Sequence, residues 1–214
     1  MQVGSSFYKY INNKYVNDFF THGKIRVGTL YEYRNTEKYG TIIGDKDEGT
    51  KSKYMELTKS NVTSEEQLPD FARRIAKFDL GEGNTAHFKN CVFEERQDSP
   101  DCFIYSMCNT YDQAIMHRLD YDTCIKIEQP DEFFTALSRS LRHKATFEGY
   151  FSCIYTNRRR KYNEVDDSRP ALIKDPVYKS QCEVRAIWMP KKKTRIKHLI
   201  LNCKKAVKYC RIYP

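Results

Sequence analysis

Long apolar segments are absent from this sequence of 214 residues. No segment reaches the run of about eighteen apolar residues that a transmembrane helix needs, so we expect no membrane span. The first residues, MQVGSSFYKYINNKY, lack the basic stretch and the apolar stretch of a secretory signal. We therefore expect a cytoplasmic protein without a membrane partner.

The short motifs of several enzyme classes are also missing. The sequence has no G-x-S-x-G elbow, no Walker A loop, no H-E-x-x-H zinc motif and no G-x-G-x-x-G fingerprint. Its five histidines lie far apart, and its eight cysteines include no C-x2-C pair. We therefore expect no metal site and mostly reduced cysteines. Any phosphate-binding role should fall to arginines rather than to a glycine loop.

Positive charge is concentrated in the last third of the chain. Residues 140–214 carry 19 Lys and Arg against 6 Asp and Glu, whereas residues 1–139 carry 18 against 22. The densest cluster consists of Arg158, Arg159, Arg160 and Lys161, followed by Tyr162. Basic side chains beside stacking rings are typical of proteins that bind single-stranded nucleic acid. A docking site for an acidic protein, or a solvated surface, would give the same pattern.

Hydrophobic spacing predicts one α+β domain over residues 1–214, with antiparallel sheets and flanking helices. The chain opens with a predicted strand at 5–10, a helix at 14–21 that Gly23 ends, and a strand at 24–30. Residues 45–100 are predicted to be a polar insertion, in which 45–70 is mostly loop. The other predicted elements are helical segments at 69–78, 112–119 and 131–142, and strands at 91–94, 103–108, 123–127, 150–155, 182–188 and 196–202.

Two arginines stand among aromatic rings in the segment 24–50. Arg26 lies in the second predicted strand, and Arg34 ends the cluster YEYR, shortly before the acidic loop GDKDEG (44–49). Guanidinium groups suit phosphate and carboxylate ligands, and tyrosine rings offer stacking faces to a base or to nicotinamide. The alternative is a surface hairpin whose arginines pair with the local acids.

Glu183 is the candidate catalytic acid. It lies at the start of the predicted strand 182–188, directly after a proline-bearing loop at 174–181. A strand end of this kind can aim a carboxylate into a cleft. Alternation along the strand puts Glu183 and Arg185 on one face. The alternative is a surface ion pair between these two side chains, which would contribute little to stability.

Several segments occur in an order found in bacterial protein families: FYKY (7–10), a short helix, IRVGTL (25–30), Tyr33-Arg34, GDKDEG (44–49), a strand with Ser106, and KDPVYKSQCEVRAIW (174–188). In this order the chain resembles a large family of uncharacterised bacterial proteins, often encoded near mobile elements and phage-defence genes. The strand–helix–strand opening and the late glutamate strand are similar to the ADP-ribosyltransferase fold. Within that fold the chain looks most like the DarT and CmdT type of toxin, which modifies nucleic acid.

The resemblance implies an activity and a set of roles. The activity is transfer of ADP-ribose from NAD, as co-substrate and without a metal, to nucleic acid, with RNA favoured over DNA. An antitoxin or regulatory protein would be the partner. Glu183 would be the catalytic glutamate, Arg34 or Arg26 would hold the NAD phosphates in the same cleft, and Tyr33 would stack on nicotinamide. Further NAD contacts would come from Thr29, from Ser106, and from the first strand, where many transferases have His or Arg and this chain has Tyr8, Lys9 and Tyr10.

Two non-catalytic interpretations remain open. One is a nucleic-acid-binding protein that has the basic face but no NAD site. The other is a protein-interaction component of a defence complex. Stabilisation by NAD would distinguish the enzyme from both, because only a protein that binds NAD gains stability from it.

Overall fold

Antiparallel strands make up most of the architecture, and helices flank the sheets, as predicted. The computed structural model describes residues 6–81, 83–192 and 194–214. In chain order the strands are β1 (Phe7–Ile11), β2 (Lys24–Thr29), β3 (Thr50–Val62), β4 (Ala86–Asp98), β5 (Phe103–Cys108), β6 (Thr123–Ile127), β7 (Ala145–Ser152), β8 (Ile154–Tyr155), β9 (Arg159–Lys161), β10 (Ile173–Lys174), β11 (Glu183–Pro190), β12 (Leu199–Asn202) and β13 (Cys210–Tyr213). The α-helices are α1 (Thr36–Ile43), α2 (Asp70–Ile75), α3 (Gln113–Arg118), α4 (Pro130–Leu141) and α5 (Lys204–Val207).

Among the described residues, the largest sheet contains eight strands. Six of them follow the order β12-β2-β5-β1-β6-β13, and β11 pairs with the other edge of β5 and with β7. Helix α4 packs against β7 and α5 and buries four residues at helical spacing, Phe133, Phe134, Leu137 and Leu141. Trp188 of β11 joins this core, and its indole N–H donates to Ser138 Oγ at 2.8 Å. The predicted helix at 131–142 and the predicted strand at 182–188 are therefore confirmed.

The strand–helix–strand opening is also confirmed, although its helix is not regular and the first residue of the predicted strand, residue 5, lies outside the described residues. Between β1 and β2 the chain forms a 3-10 turn, Asn13–Tyr15, and a π-helix, Asp18–His22. Gly23 ends this helix in the left-handed conformation with φ 69°, as the sequence predicted. A Cβ at Gly23 would lie 2.4 Å from the backbone nitrogen of Lys204, so the close approach of α5 also requires glycine.

The prediction that residues 45–70 are mostly loop is wrong. They contain β3, a strand of thirteen residues that pairs with the equally long β4. The pair packs with α2 around a core of its own, formed by Met55, Val62, Leu68, Phe71 and Ala72. Most other positions of the two strands are polar and partly or largely accessible. A strand with one buried face needs few apolar residues, so its sequence looks like that of a polar loop.

Shorter elements differ from the prediction as well. The predicted strand at 150–155 is divided at Cys153 between β7 and β8, which belong to different sheets. Strand β9 pairs in parallel with β3 and was not predicted, nor were α1, α5, β10 and β13. Within the described ranges, no helix combines the length and the apolarity needed to cross a bilayer.

Candidate active site

A gap in the largest sheet forms the cleft that brings the candidate residues together. One edge of β5 pairs with β11, whereas the other pairs with β2 only at Phe103 and Ile104 and with β1 only at Cys108. Ser106 lies between these contacts. Its carbonyl oxygen accepts a hydrogen bond from Lys9 Nζ at 2.6 Å, so a side chain replaces the missing strand partner. Strands β1 and β2 therefore diverge around Ser106 and open a cleft.

The cleft holds two cavities. The smaller one, of about 90 Å³, is lined by six of the predicted site residues, Tyr8, Lys9, Tyr10, Tyr33, Ser106 and Glu183. The larger one, of about 490 Å³, is lined by Arg26 and again by Lys9, Tyr10, Tyr33 and Ser106. Because these four residues line both, the cavities adjoin. The larger cavity falls in the size range of small-molecule sites.

Glu183 belongs to a buried network of two carboxylates and two cations. Its Oε2 lies 2.5 Å from Lys174 Nζ, and its Oε1 accepts a hydrogen bond from Arg185 Nε at 2.7 Å. Arg185 also holds both carboxylate oxygens of Glu48, at 2.8 and 2.9 Å. None of the four side chains is more than 9% exposed. The Glu183–Arg185 pair considered from the sequence thus exists, but it is buried rather than on the surface.

This network fixes the charge of Glu183. Burial by itself would raise the pKa of the carboxyl group, but Arg185 and Lys174 outweigh burial and hold the pKa well below its usual range. Glu183 is therefore a carboxylate at neutral pH. It can stabilise a developing positive charge, but it is a poor proton acceptor.

The backbone before β11 sets the position of Glu183. The 3-10 helix Pro176–Gln181 ends at Cys182, which has a left-handed backbone with φ 45° and ψ 44°. This conformation is uncommon for a residue with a side chain. The next amide, Glu183 N–H, donates to Tyr155 Oη at 2.6 Å. Together the turn and the hydrogen bond direct the first residue of β11 toward the cleft.

Lys9 brings positive charge to the wall that the two cavities share. Burial disfavours its ammonium form and lowers its pKa to about 8, although Cys108 and Glu183 act in the opposite direction. The ammonium group also lies 4.8 Å from the centre of the Tyr105 ring. At pH 7 most Lys9 side chains remain protonated, so Lys9 can attract an anionic ligand.

Arg26 and Tyr33 line the larger cavity. Arg26 Nη2 donates to Glu32 Oε1 at 2.7 Å and to Tyr39 Oη at 2.9 Å. The Tyr33 ring packs against Tyr39, with ring centres 5.2 Å apart. Gly28 in β2 leaves room for this ring, because a Cβ there would lie 3.0 Å from Tyr33 Oη. The glycine thus allows Tyr33 to approach β2 closely.

Arg34 and Thr29 line neither of these cavities. Arg34 Nε donates to the carbonyl oxygen of Glu48 at 2.8 Å, and its guanidinium lies 3.8 Å from the centre of the Tyr31 ring. Thr29 is buried, and its Oγ1 accepts a hydrogen bond from the Glu32 amide at 3.2 Å. Arg34 thus supports the loop that carries Glu48, and Thr29 supports the turn that carries Glu32. Of the two arginines proposed to hold phosphate, Arg26 is the one that faces a cavity.

The basic cluster at 158–162 lies outside the cleft, and its arginines have partners within the chain. The pairs are Arg158 with Asp45, Arg159 with Glu94, and Arg160 with Thr156. The Arg158 side chain is 13% exposed and makes two hydrogen bonds to Asp45, at 2.9 and 2.5 Å. A phosphate would have to displace this carboxylate. Lys161 and Tyr162 are exposed.

No role was expected for four residues of the smaller cavity, Glu48, Tyr121, Lys174 and Gln181. The sequence carried a signal for Glu48, because it precedes Gly49 in the acidic loop. Gly49 has φ 71°, and a Cβ there would lie 2.6 Å from Leu30 Cδ2. The loop therefore packs tightly and brings Glu48 into the interior.

Comparison of the chain with protein-family models, curated proteins and solved structures gave no match. In the part of the chain that the structure describes, no group of three or more His, Cys, Asp and Glu side chains is arranged to hold a metal ion. All eight cysteines are free thiols.

Proposed function

We propose that this protein is an NAD-dependent ADP-ribosyltransferase whose acceptor is nucleic acid, with RNA preferred over DNA. The ADP-ribosyltransferase fold is part of the proposal. The proposed function is supported by the cleft between β1 and β2. Lys9, Tyr33, Ser106 and an ionised Glu183 line one cavity there, and Arg26 lines the adjoining one. These residues come from distant parts of the chain, and their chemistry suits the co-substrate.

In the proposed reaction the nicotinamide ribose lies near Glu183, and Tyr33 stacks on the nicotinamide ring. The bond between C1′ of this ribose and the nicotinamide nitrogen breaks, and nicotinamide leaves with the bonding electrons. The Glu183 carboxylate stabilises the positive charge that develops on the ribose. A nitrogen or oxygen atom of the acceptor then bonds to C1′ and releases its proton to water, because Glu183 is too weak a base to take it.

The charges around the cleft favour a diphosphate. Glu48 and Glu183 balance Lys174 and Arg185, so Lys9 adds a cation to the wall of the smaller cavity. Arg26 adds a guanidinium fork, which suits phosphate oxygens, to the larger cavity, and a phosphate there would share this fork with Glu32. Tyrosine rings in both cavities can stack on nicotinamide or adenine.

One observation favours a second, non-catalytic function, which differs from the two considered from the sequence because it keeps a nucleotide site. Both carboxylate oxygens of Glu183 already accept hydrogen bonds, from Lys174 and Arg185. If Glu183 only holds the fold together, the cleft binds a nucleotide without cleaving it. The protein would then act by binding nucleic acid or a partner.

We also propose that the protein is a cytoplasmic toxin restrained by an antitoxin or regulatory partner. This part rests on the resemblance of the sequence to nucleic-acid-modifying toxins. Expression of the wild type should inhibit bacterial growth. A folded variant with an uncharged residue at position 183 should not inhibit growth at the same protein level.

The two functions are separated by measuring NAD binding and NAD cleavage on the same preparation. NAD at about one hundred times its Kd should stabilise the fold by about 2.7 kcal/mol under either function. Only the transferase should release nicotinamide when RNA is added. Stabilisation without release would support the binding protein, and the absence of both would overturn the NAD site itself.

A further inference from the structure

Tyrosines and cations cover the sheet face beside the smaller cavity. In the register of β1, β6 and β13, Tyr8 lies opposite Lys126, which lies opposite Arg211. In the neighbouring row, Tyr10 lies opposite Cys124, and Cys124 opposite Tyr213. Directly opposed residues project from the same face of a sheet, so both rows belong to one surface.

Helix α3 covers only part of this surface. Its Ile115 and Met116 pack on the buried Tyr10 and Cys124. The side chains that stay partly or largely accessible are Tyr8, Lys126, Arg211 and Tyr213, together with Tyr111 just before α3. These five residues are called the tyrosine platform below.

The three tyrosines of the platform form one cluster. Ring centres are 5.1 Å apart for Tyr8 and Tyr213, 4.8 Å for Tyr111 and Tyr213, and 6.0 Å for Tyr8 and Tyr111. Partly exposed rings held rigidly by their neighbours give nucleobases a stacking surface that tolerates any base.

The cations of the platform suit a phosphate backbone. Arg211 is 58% exposed, and its Nε lies 2.8 Å from Glu128 Oε1. An exposed ion pair of this kind is weak, so a phosphate can compete with Glu128 for the guanidinium. Lys126 lies between Arg211 and Tyr8, which puts a second cation beside the rings.

We propose that the tyrosine platform binds single-stranded nucleic acid and directs it to the candidate active site. Tyr8 belongs to the platform and also lines the smaller cavity with Glu183, so a strand stacked here passes the mouth of that cavity. The role as acceptor site rests on the proposed transferase function, whereas the binding does not. The platform replaces the cluster at 158–162, where Arg158 is held by Asp45, as the expected contact with nucleic acid.

The test measures the affinity of the full chain for fluorescein-labelled RNA and DNA oligonucleotides of about eight nucleotides, a length within the usual range for one such site. The double variant Tyr111→Leu/Tyr213→Leu should bind at least about tenfold more weakly, because each stacked base contributes about that factor or more. Tyr111→Phe/Tyr213→Phe keeps the rings and should bind as the wild type does. The control Lys161→Gln/Tyr162→Leu, in the other basic cluster, should also bind normally.

A second variant tests the platform without changing its packing. Lys126→Gln/Arg211→Gln removes two phosphate contacts at the surface. The slope of log affinity against log salt concentration should therefore become shallower by about 1.4, since each contact with a single strand contributes about 0.7. Melting temperatures verify that each variant is folded.

Two results would overturn the platform. One is wild-type affinity in the Leu variant together with an unchanged salt slope in the Gln variant. The other is a loss of binding confined to the Lys161→Gln/Tyr162→Leu control.

Stabilisation by NAD, measured on the same proteins, distinguishes failure of the platform from failure of the proposed transferase function. If NAD binds but no oligonucleotide does, the platform fails and the transferase needs another acceptor. If oligonucleotides bind through the platform but NAD does not, the platform stands and the transferase fails.

Discussion

Replacing Glu183 with Gln tests the buried network, because it removes one charge and keeps the side-chain shape. Lys174 would lose the carboxylate at 2.5 Å and keep its hydrogen bond to Gln181 at 2.8 Å, while Arg185 would keep Glu48. Breaking a buried ion pair on one side typically costs about 3–5 kcal/mol. For a chain of this length, a loss of that size lowers the melting temperature by roughly 6–20 °C.

A compensating variant separates this structural effect from catalysis. In Lys174→Met/Glu183→Gln the number of buried cations again equals the number of buried carboxylates. We therefore expect it to recover most of the lost unfolding free energy. Thermal and denaturant unfolding of both single variants and the double variant would give the coupling energy between the two residues.

Transferase activity is then compared between the wild type and the double variant. Loss of a group that stabilises transition-state charge lowers the rate by about 10²–10³. A Glu183→Gln protein as stable as the wild type would refute the energetic reasoning about the network. Full activity in the folded double variant would refute the catalytic assignment of Glu183.

The remaining predictions concern other parts of the molecule. NAD affinity, measured by calorimetry, should fall as the pH rises through about 8, because Lys9 loses its proton there. The Lys9→Arg variant should show no such fall. A fall that persists in Lys9→Arg would contradict the role of Lys9 in binding NAD. Gly28→Ala should displace the Tyr33 ring, which should lower the free energy of unfolding by about 1–3 kcal/mol and weaken NAD binding. Unchanged NAD affinity would contradict the proposed contact between Tyr33 and NAD. Arg158→Ala should lower the melting temperature, because it leaves the buried Asp45 unpaired, and it should leave RNA affinity unchanged. An unchanged melting temperature with weaker RNA binding would instead support a contact between Arg158 and nucleic acid. After denaturation without reductant, a thiol reagent should titrate eight thiols per chain, and a lower count would reveal disulfides.

Elements with strong hydrophobic spacing could be predicted from the sequence. The four buried residues of α4 recur at helical spacing, which predicts a helix. Strand β5 is a short, almost continuous apolar run, which predicts a buried strand. Strand β3 could not be predicted in this way. Its stability comes from pairing with β4 and from a few residues under α2, which are contacts that local spacing does not reveal.

The candidate site was only partly predictable for a related reason. Lys9 and Ser106 could be proposed because of the family resemblance, and Glu183 also because it begins a predicted strand directly after a loop. Glu48 was not proposed, although its position before Gly49 offered a hint. Its role depends on Arg185, which lies 137 positions away in the chain, and this pair exists only in the folded protein. Arg34 was proposed from its motif. Its Nε donates to the carbonyl oxygen of Glu48, and its side chain lines neither of the two cavities.

The central claim is tested most directly by following the two halves of NAD. The wild-type protein is incubated with single-stranded RNA, single-stranded DNA or protein, and with NAD labelled either on the adenylate phosphate or on nicotinamide. We predict that the adenylate label becomes covalently attached to nucleic acid, RNA above DNA, with one nicotinamide released per adduct. The folded Lys174→Met/Glu183→Gln protein should form this adduct about 10²–10³ times more slowly. Intact NAD with every acceptor, in a wild-type preparation that is folded, would contradict the claim.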